Sequence, residues 1–294
     1  MKGMYIIMVK IGFYDYYLDE WHANNYPTML REEISKRNIN MELVYAYADI
    51  DKPGGLTNSQ WCEINNCHFC RSVEELVSLS DAIVILGPSF PQEHERMCKL
   101  PLSSGKPVYV DKIFAPDLET GIRIFNHAAN HGTPMFSTSA LRFADELNDF
   151  RIGNNSDVKW CATMGPNSFS VYGIHQIEMI QTIMGGCAIR VKAFANEGGR
   201  TIIFDYNNSI ASMLQLTNLP FQISISNGAN CNFRLIQSNF FKNLVNQMID
   251  FFISSLPPVS RNDTLAVISM LDAGNNAVNN PDIWHYCKKN FAHL

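Results

Sequence analysis

The chain has no excess of basic residues. Its 23 Lys and Arg are outnumbered by 28 Asp and Glu, and the formal net charge is −5. Without a basic face there is no electrostatic footprint for a nucleic-acid partner. No apolar run approaches the length needed to span a bilayer. The opening stretch MKGMYIIMVKIGF has a Lys and an apolar run, as a leader would. That run is interrupted by Lys10, and aromatic and acidic residues follow instead of a small-residue cleavage site. It reads as the buried first strand of a cytoplasmic protein with no membrane partner. A disulfide framework is missing too: eight cysteines are scattered from Cys62 to Cys287, the pattern of reduced thiols. Cys62, Cys67, His68 and Cys70 do cluster, but no second ligand pair follows at comparable spacing, so no metal site is expected. Internal repeats and low-complexity segments are also absent.

What is present is an ordinary globular composition, 46% apolar and 17% charged over 294 residues, enough for one large domain or two ordinary ones. Up to about residue 138 strand-like and helix-like runs alternate. Met4 to Phe13 reads as a strand, Pro27 to Lys36 as a helix, Met41 to Ala48 as a strand and Ser72 to Leu79 as a helix. In the last of these Ser72 is the cap and Glu75 completes a capping box. Asp81 to Leu86 (DAIVIL) is a continuous apolar run, as in a strand buried on both faces. This order predicts a Rossmann-like, doubly wound α/β domain over residues 1–138. The second half changes character. Runs at 158–164, 188–195, 201–206, 209–216 and 221–226 read as strands, with helices at 174–184, 240–252 and 263–276. They predict an α+β domain over residues 139–294 with an open, largely antiparallel sheet.

The most informative stretch runs from Gly105 to Phe143. Val108 to Val110 is a short strand, and Asp111 and Lys112 stand where it ends. Leu118, Ile122, Phe125 and Ala129 fall on one helical face, and Gly132 is the stop. In an open parallel sheet, ligands bind outside the carboxyl ends of the strands. Lys112 is therefore expected at the mouth of a ligand crevice.

The same stretch resembles the glucose–fructose oxidoreductase / inositol dehydrogenase (Gfo/Idh/MocA) family. Members carry Glu-Lys-Pro at this strand end, a helix ending Ala-x-x-x-Gly, and Arg-Phe after the next strand. The counterparts are Asp111-Lys112-Ile113, Ala128 to Gly132, and Arg142-Phe143. Further on, Gly173, His175 and Glu178 resemble the family's G-x-H-x-x-D signature, with Glu for Asp. Val171 stands where many members have another Asp. Pro257-Pro258-Val259-Ser260 resembles the family's closing turn, which extends the likeness over nearly the whole chain.

The resemblance implies a dinucleotide cofactor and a small-molecule substrate, a sugar or cyclitol, whose secondary alcohol is oxidised or whose ketone is reduced. His175 is the implied general acid/base. Lys112 would hold the substrate oxygen, with Glu178 and Tyr172 as orienting groups. On the cofactor side it implies Gly12, Phe13 and Tyr14 at the first turn, Asp49 on the adenosine ribose, and Gly87, Pro88, His94 and Asp111 along the crevice. A carboxylate at Asp49 would repel a 2′-phosphate and so favour NAD over NADP. The turn itself departs from G-x-G-x-x-G. It reads Gly12-Phe13-Tyr14-Asp15-Tyr16-Tyr17-Leu18-Asp19-Glu20-Trp21-His22, with bulky and acidic residues in place of glycines. That predicts weak dinucleotide binding. It also leaves standing a second reading, a non-catalytic nucleotide- or sugar-binding sensor. A third, an oligomeric structural protein, rests on the open sheet as a surface for homo-oligomers.

Overall fold

The computed structural model describes residues 8–87, 89–150, 158–289 and 291. The chain divides into two compact units. One takes the residues up to Pro116 together with 123–137 and 244–258; the other takes 117–122, 138–243 and the residues from Val259 on. The expected division into 1–138 and 139–294 assigned 244–258 to the second half, whereas its contacts lie with the first unit. Phe251 meets Phe136 edge-on at 4.9 Å, Arg37 pairs with Asp250, and Asn246 donates to Glu33 at 2.9 Å.

The first unit is built on a six-stranded parallel sheet. Its strands are β1 (Val9–Asp15), β2 (Met41–Ala48), β3 (His68–Phe69), β4 (Ala82–Ile85), β5 (Val108–Val110) and β6 (Met135–Ser137), in the order β3-β2-β1-β4-β5-β6. This is the doubly wound dinucleotide-fold order. The central strands are buried at every position from Ala82 to Val110 that they supply, which is why DAIVIL shows no polar alternation. The helices are α1 (Trp21–Lys36), α2 (Asn58–Ile64), α3 (Val73–Leu79), α4 (His94–Cys98) and α5 (Leu118–Asn130). Among the described residues the first strand begins at Val9; residues 4–7 of the expected run lie outside them. It continues two residues past Phe13. Helix α1 starts six residues before Pro27, which it carries inside.

The second unit is built on a seven-stranded mixed sheet. Its strands are β7 (Trp160–Pro166), β8 (Arg190–Asn196), β9 (Gly199–Asp205), β10 (Ile210–Leu216), β11 (Gln222–Ser226), β12 (Cys231–Leu235) and a short β13 (His285–Tyr286). The order is β12-β11-β7-β10-β9-β8-β13, with β7 and β10 parallel and the other pairs antiparallel. Helices α6 (Phe169–Met184) and α8 (Arg261–Asn279) pack on one face. The other face presents half-exposed Trp160, Met164, Ile203, Leu214 and Phe194 in register. The expected open α+β sheet is therefore found, enlarged by β12 and β13. Helix α7 (Phe240–Ser254) completes the fold.

Candidate active site

The first turn does not begin at Gly12. Gly12 lies inside β1, paired with Tyr45 and Ile83, and a Cβ there would meet the Ser80 hydroxyl at 2.2 Å. Phe13 has no exposed surface and faces Trp61. Tyr14 is buried too, its hydroxyl donating to Asp49 at 3.0 Å. None of the three is a turn residue; the turn runs from Asp15 to Glu20. Tyr16 and Tyr17 lie above it and pack on Phe90, with ring centroids 4.4 and 5.6 Å away.

Glu20 caps α1. Its carboxylate accepts from the His22 amide at 2.9 Å and from the Ala23 amide. These are the unpaired donors that make a helix N-terminus an anion site. Burial pushes the Glu20 carboxyl above its ordinary pKa, and the helix donors pull the other way. The crowding expected from Tyr14, Tyr16 and Asp15 is thus mainly the work of a residue the sequence reading did not single out.

Beneath the turn sits a buried polar network. Asp111, fully buried at the end of β5, receives the Tyr109 hydroxyl at 2.9 Å on one oxygen and pairs with His22 Nδ1 through the other. Burial alone would raise its pKa; His22, Lys112 and the Tyr109 bond instead hold it down at about 2. Tyr26 stacks on His22 with rings 9° apart. Asp15 goes the other way. Its Oδ1 accepts from the Tyr16 amide at 2.7 Å, but Oδ2 is buried with no hydrogen-bond partner. Burial first, then the charge of Glu20, pushes its pKa well above the carboxylate range.

These opposite shifts give opposite pH dependences. Asp111 contributes stability above its unfolded pKa, and that contribution is lost as pH falls toward 2. Asp15 is favoured protonated, so its contribution is complete below its unfolded pKa of about 3.9 and is lost as pH rises through the raised folded value. Asp15→Asn, which mimics the protonated acid, should therefore raise the melting temperature at pH 7 and leave it nearly unchanged at pH 4. Equal effects at both values, read by thermal unfolding, would show that Asp15 is ionised in the folded protein.

The other residues expected along this crevice divide. Gly87 has φ +89°, and a Cβ there would lie 3.2 Å from His94 Nε2, so glycine is required. Its amide points at Asp15. His94 is fully buried, with Nδ1 2.9 Å from the Phe114 carbonyl and Nε2 2.8 Å from that of Leu86. It ties two loops together and is not a crevice residue. Asp111 is likewise too buried to touch a cofactor directly. Pro88 lies outside the described residues. Asp49 is already engaged: one oxygen takes the Tyr14 hydroxyl and the other the Arg96 guanidinium at 2.5 Å. Arg96 neutralises the carboxylate that was to exclude a 2′-phosphate, so the argument for NAD over NADP fails. Lys112 is half-buried just beyond β5, at the carboxyl end of the sheet as expected.

In the second unit, α6 begins at Phe169, so the whole Gly173-His175-Glu178 signature lies inside a helix. His175 and Glu178, three apart, share a face. Ser139, just after β6, meets both: its hydroxyl is 2.6 Å from His175 Nδ1, and its amide donates to Glu178 Oε1 at 3.1 Å. His175 is half-buried between Tyr172 and Phe221, both edge-on at 5.8 Å. A base with one ring nitrogen held and two aromatic rings packed edge-on to it is oriented for proton transfer. Glu178 is different. It is 2% exposed and its Oε2 receives Arg142 Nε at 2.6 Å. Arg142 continues to Gln181 at 2.5 Å, and Gln181 to Asp263 at 2.5 Å. Glu178 is therefore an anchor in a buried network and has no oxygen facing a reactant. Ser139, Arg142 and Phe221 had no local signal for these contacts, because each lies 36 or more residues from its partner.

No protein-family model matches the chain, and no curated protein matches it. Solved structures do. GenD2 from gentamicin A biosynthesis, in complex with NAD, superposes with a TM-score of 0.75 at 10% identity, covering 98% of this chain and 99% of that one. A putative myo-inositol dehydrogenase from Sinorhizobium meliloti gives 0.73 at 14%, covering 96% and 100%. The WlbA dehydrogenase from Bordetella pertussis, in complex with NADH and UDP-GlcNAcA, gives 0.71 at 13%, covering 97% and 100%. At such identities the likeness is one of fold: the chain has the architecture of these dehydrogenases over nearly its whole length.

The turn can be tested against the dinucleotide that this fold implies. The Glu20 carboxylate is itself a stand-in anion: it shows that the His22 and Ala23 amides form a working oxyanion site. Burial, which raises the Asp15 pKa, lessens the charge it sets against a phosphate. On that donor set the residues fit one phosphate at the start of α1, in place of Glu20.

Proposed function

We propose that this protein is a nicotinamide-dependent oxidoreductase acting on a secondary alcohol or ketone of a sugar or cyclitol. The observation that carries the reading is the oriented imidazole of His175, in a fold shared with NAD-complexed dehydrogenases. The likeness supports the resemblance to the Gfo/Idh/MocA family. The cofactor, when bound, accepts or returns the hydride. The amides of His22 and Ala23, now held by Glu20, would hold its phosphate. Arg96 stands at the end of β2, where the adenosine ribose is bound in this fold. His175 removes the hydroxyl proton or returns it, with Ser139 holding Nδ1. Lys112 hydrogen-bonds the substrate oxygen and stabilises its developing negative charge. Glu178 keeps α6 and the Ser139 loop in register.

Nicotinamide absorbance with a panel of sugars and cyclitols, using NAD and NADP in parallel, tests the reading. No turnover with any of them, together with no binding of either dinucleotide by calorimetry, would overturn it in favour of a sensor. Self-association through the open face of the mixed sheet belongs to the same reading; light scattering on the purified protein should give a multiple of the 33.3 kDa chain mass.

Glu20 should set the cofactor affinity. Hydrogen bonds to charged groups are worth roughly 1.5–3 kcal/mol, and a factor of ten in affinity is about 1.4 kcal/mol. Glu20→Ala frees both amides and should tighten dinucleotide binding about tenfold. Losing the cap should meanwhile lower stability by roughly 0.5–2 kcal/mol. Unchanged affinity in a folded variant would mean that the phosphate binds elsewhere.

A further inference from the structure

The cysteine-rich segment between α2 and α3 takes no part in the proposed chemistry. Yet the fold gathers its side chains. His68 and Cys70 are two apart on an extended segment and so project to the same side. His68 opens the edge strand β3 and pairs with Tyr45, whose ring meets the imidazole edge-on at 6.0 Å. Cys70 is fixed by its amide, which donates to the Ala46 carbonyl at 2.8 Å. Glu75 arrives on the first turn of α3. Its Oε2 accepts the Arg71 amide at 2.7 Å, which aims Oε1 at His68 Nε2, 3.6 Å away. The capping box expected at Ser72 is thus half-formed. Ser72 caps the Glu75 amide at 3.2 Å, but the Glu75 carboxylate reaches Arg71 and His68.

An imidazole nitrogen, a sulfur and a carboxylate oxygen then lie within 4.8 Å of one another. This nitrogen–sulfur–oxygen set suits zinc, whose bonds of about 2.0–2.3 Å place tetrahedral ligand atoms roughly 3.3–3.8 Å apart. His68 Nε2 and Glu75 Oε1, 3.6 Å apart, already fall in that range, and closing a gap of 4.8 Å would take about 1 Å. The sequence reading sought a second cysteine or histidine pair; the third ligand is instead a carboxylate delivered by the next helix.

We propose that His68, Cys70 and Glu75 form a binding site for a zinc-class divalent cation, with water in the fourth position. Three protein ligands and one open position make an exchangeable site, and the ion would clip β3 to the start of α3.

Chelator-stripped protein titrated with Zn²⁺ against a chromophoric chelator tests this, with Co²⁺ absorption as a report of thiolate ligation. One equivalent is expected, with a Co²⁺–thiolate band and a Zn²⁺-dependent rise in melting temperature. His68→Ala changes an exposed position and Glu75→Gln keeps the shape of a half-buried one, so both should fold; both should lose the equivalent and the thermal shift. Cys70→Ser should lose the thiolate band. Cys187, whose thiol lies 3.8 Å from the Ala266 carbonyl, and Cys287 are the control: Cys187→Ser/Cys287→Ser should retain the equivalent. Binding that survives His68→Ala and Glu75→Gln, or that disappears with the Cys187/Cys287 double variant, would overturn the assignment.

Discussion

Replacing His175 with alanine should lower turnover by roughly 10²- to 10⁴-fold, the usual contribution of a general acid/base. Dinucleotide affinity should stay nearly unchanged. The expectation rests on the orientation of the ring. Ser139 holds Nδ1 at 2.6 Å, and the rings of Tyr172 and Phe221 lie edge-on to the imidazole. Ser139→Ala leaves the imidazole present but less constrained, so its loss should be smaller and should appear in kcat more than in KM. The pH profile separates the two roles. In the parent protein one limb of the profile is governed by the imidazole. It should vanish in His175→Ala and shift in Ser139→Ala. Lys112→Ala should lower turnover by a different route, through a less stabilised substrate oxyanion, and should leave that limb in place. Parent-like turnover in His175→Ala would remove the imidazole from the chemistry.

The largest loss of stability is expected at the Glu178–Arg142 pair. Their side chains are only 2% and 8% exposed. Removing one partner of such a pair leaves a buried charge uncompensated and costs roughly 3–5 kcal/mol. Glu178→Ala and Arg142→Ala should each fall in that range by denaturant unfolding. Arg142→Lys should not rescue, because a lysine cannot serve Glu178 and Gln181 together with one planar fork. Replacing both partners with apolar residues, as in Arg142→Met/Glu178→Leu, should recover much of the loss. If Glu178→Ala instead keeps its stability and loses turnover, the catalytic role expected from the sequence signature would be restored.

Much of the fold was legible because its signals are local. β2 and β5 begin and end where the apolar runs do. The helix stripe from Leu118 to Ala129 marks α5, and Gly132, with φ +63°, follows its end. Boundaries were lost where a tertiary contact overrides a local preference. Proline suits a first turn, and Pro27 invited a helix start there. The actual start is fixed by Glu20 capping α1 and by the burial of His22, Ala23 and Tyr26. β12 was missed although Cys231 to Leu235 alternates apolar and polar residues: the run is short, and at the sheet edge its side chains stay largely exposed. Its pairing comes from the turn in which Asn227 accepts from the Ala229 and Asn230 amides.

The candidate site divides along the same line. The sequence alone determined that Lys112 follows a buried strand and that His175 and Glu178 lie three apart on a helix, because both statements depend only on periodicity within a few residues. It could not assign Glu178, since the fate of that carboxylate is decided by Arg142, 36 positions away. Nor could it show that Asp49 is neutralised by Arg96, 47 positions on, or that His94 spends both ring nitrogens on loop carbonyls. Local pattern sets which side chains share a face of an element. Which charges meet, and which are buried together, depends on contacts between elements far apart in the chain, and only the tertiary structure decides them.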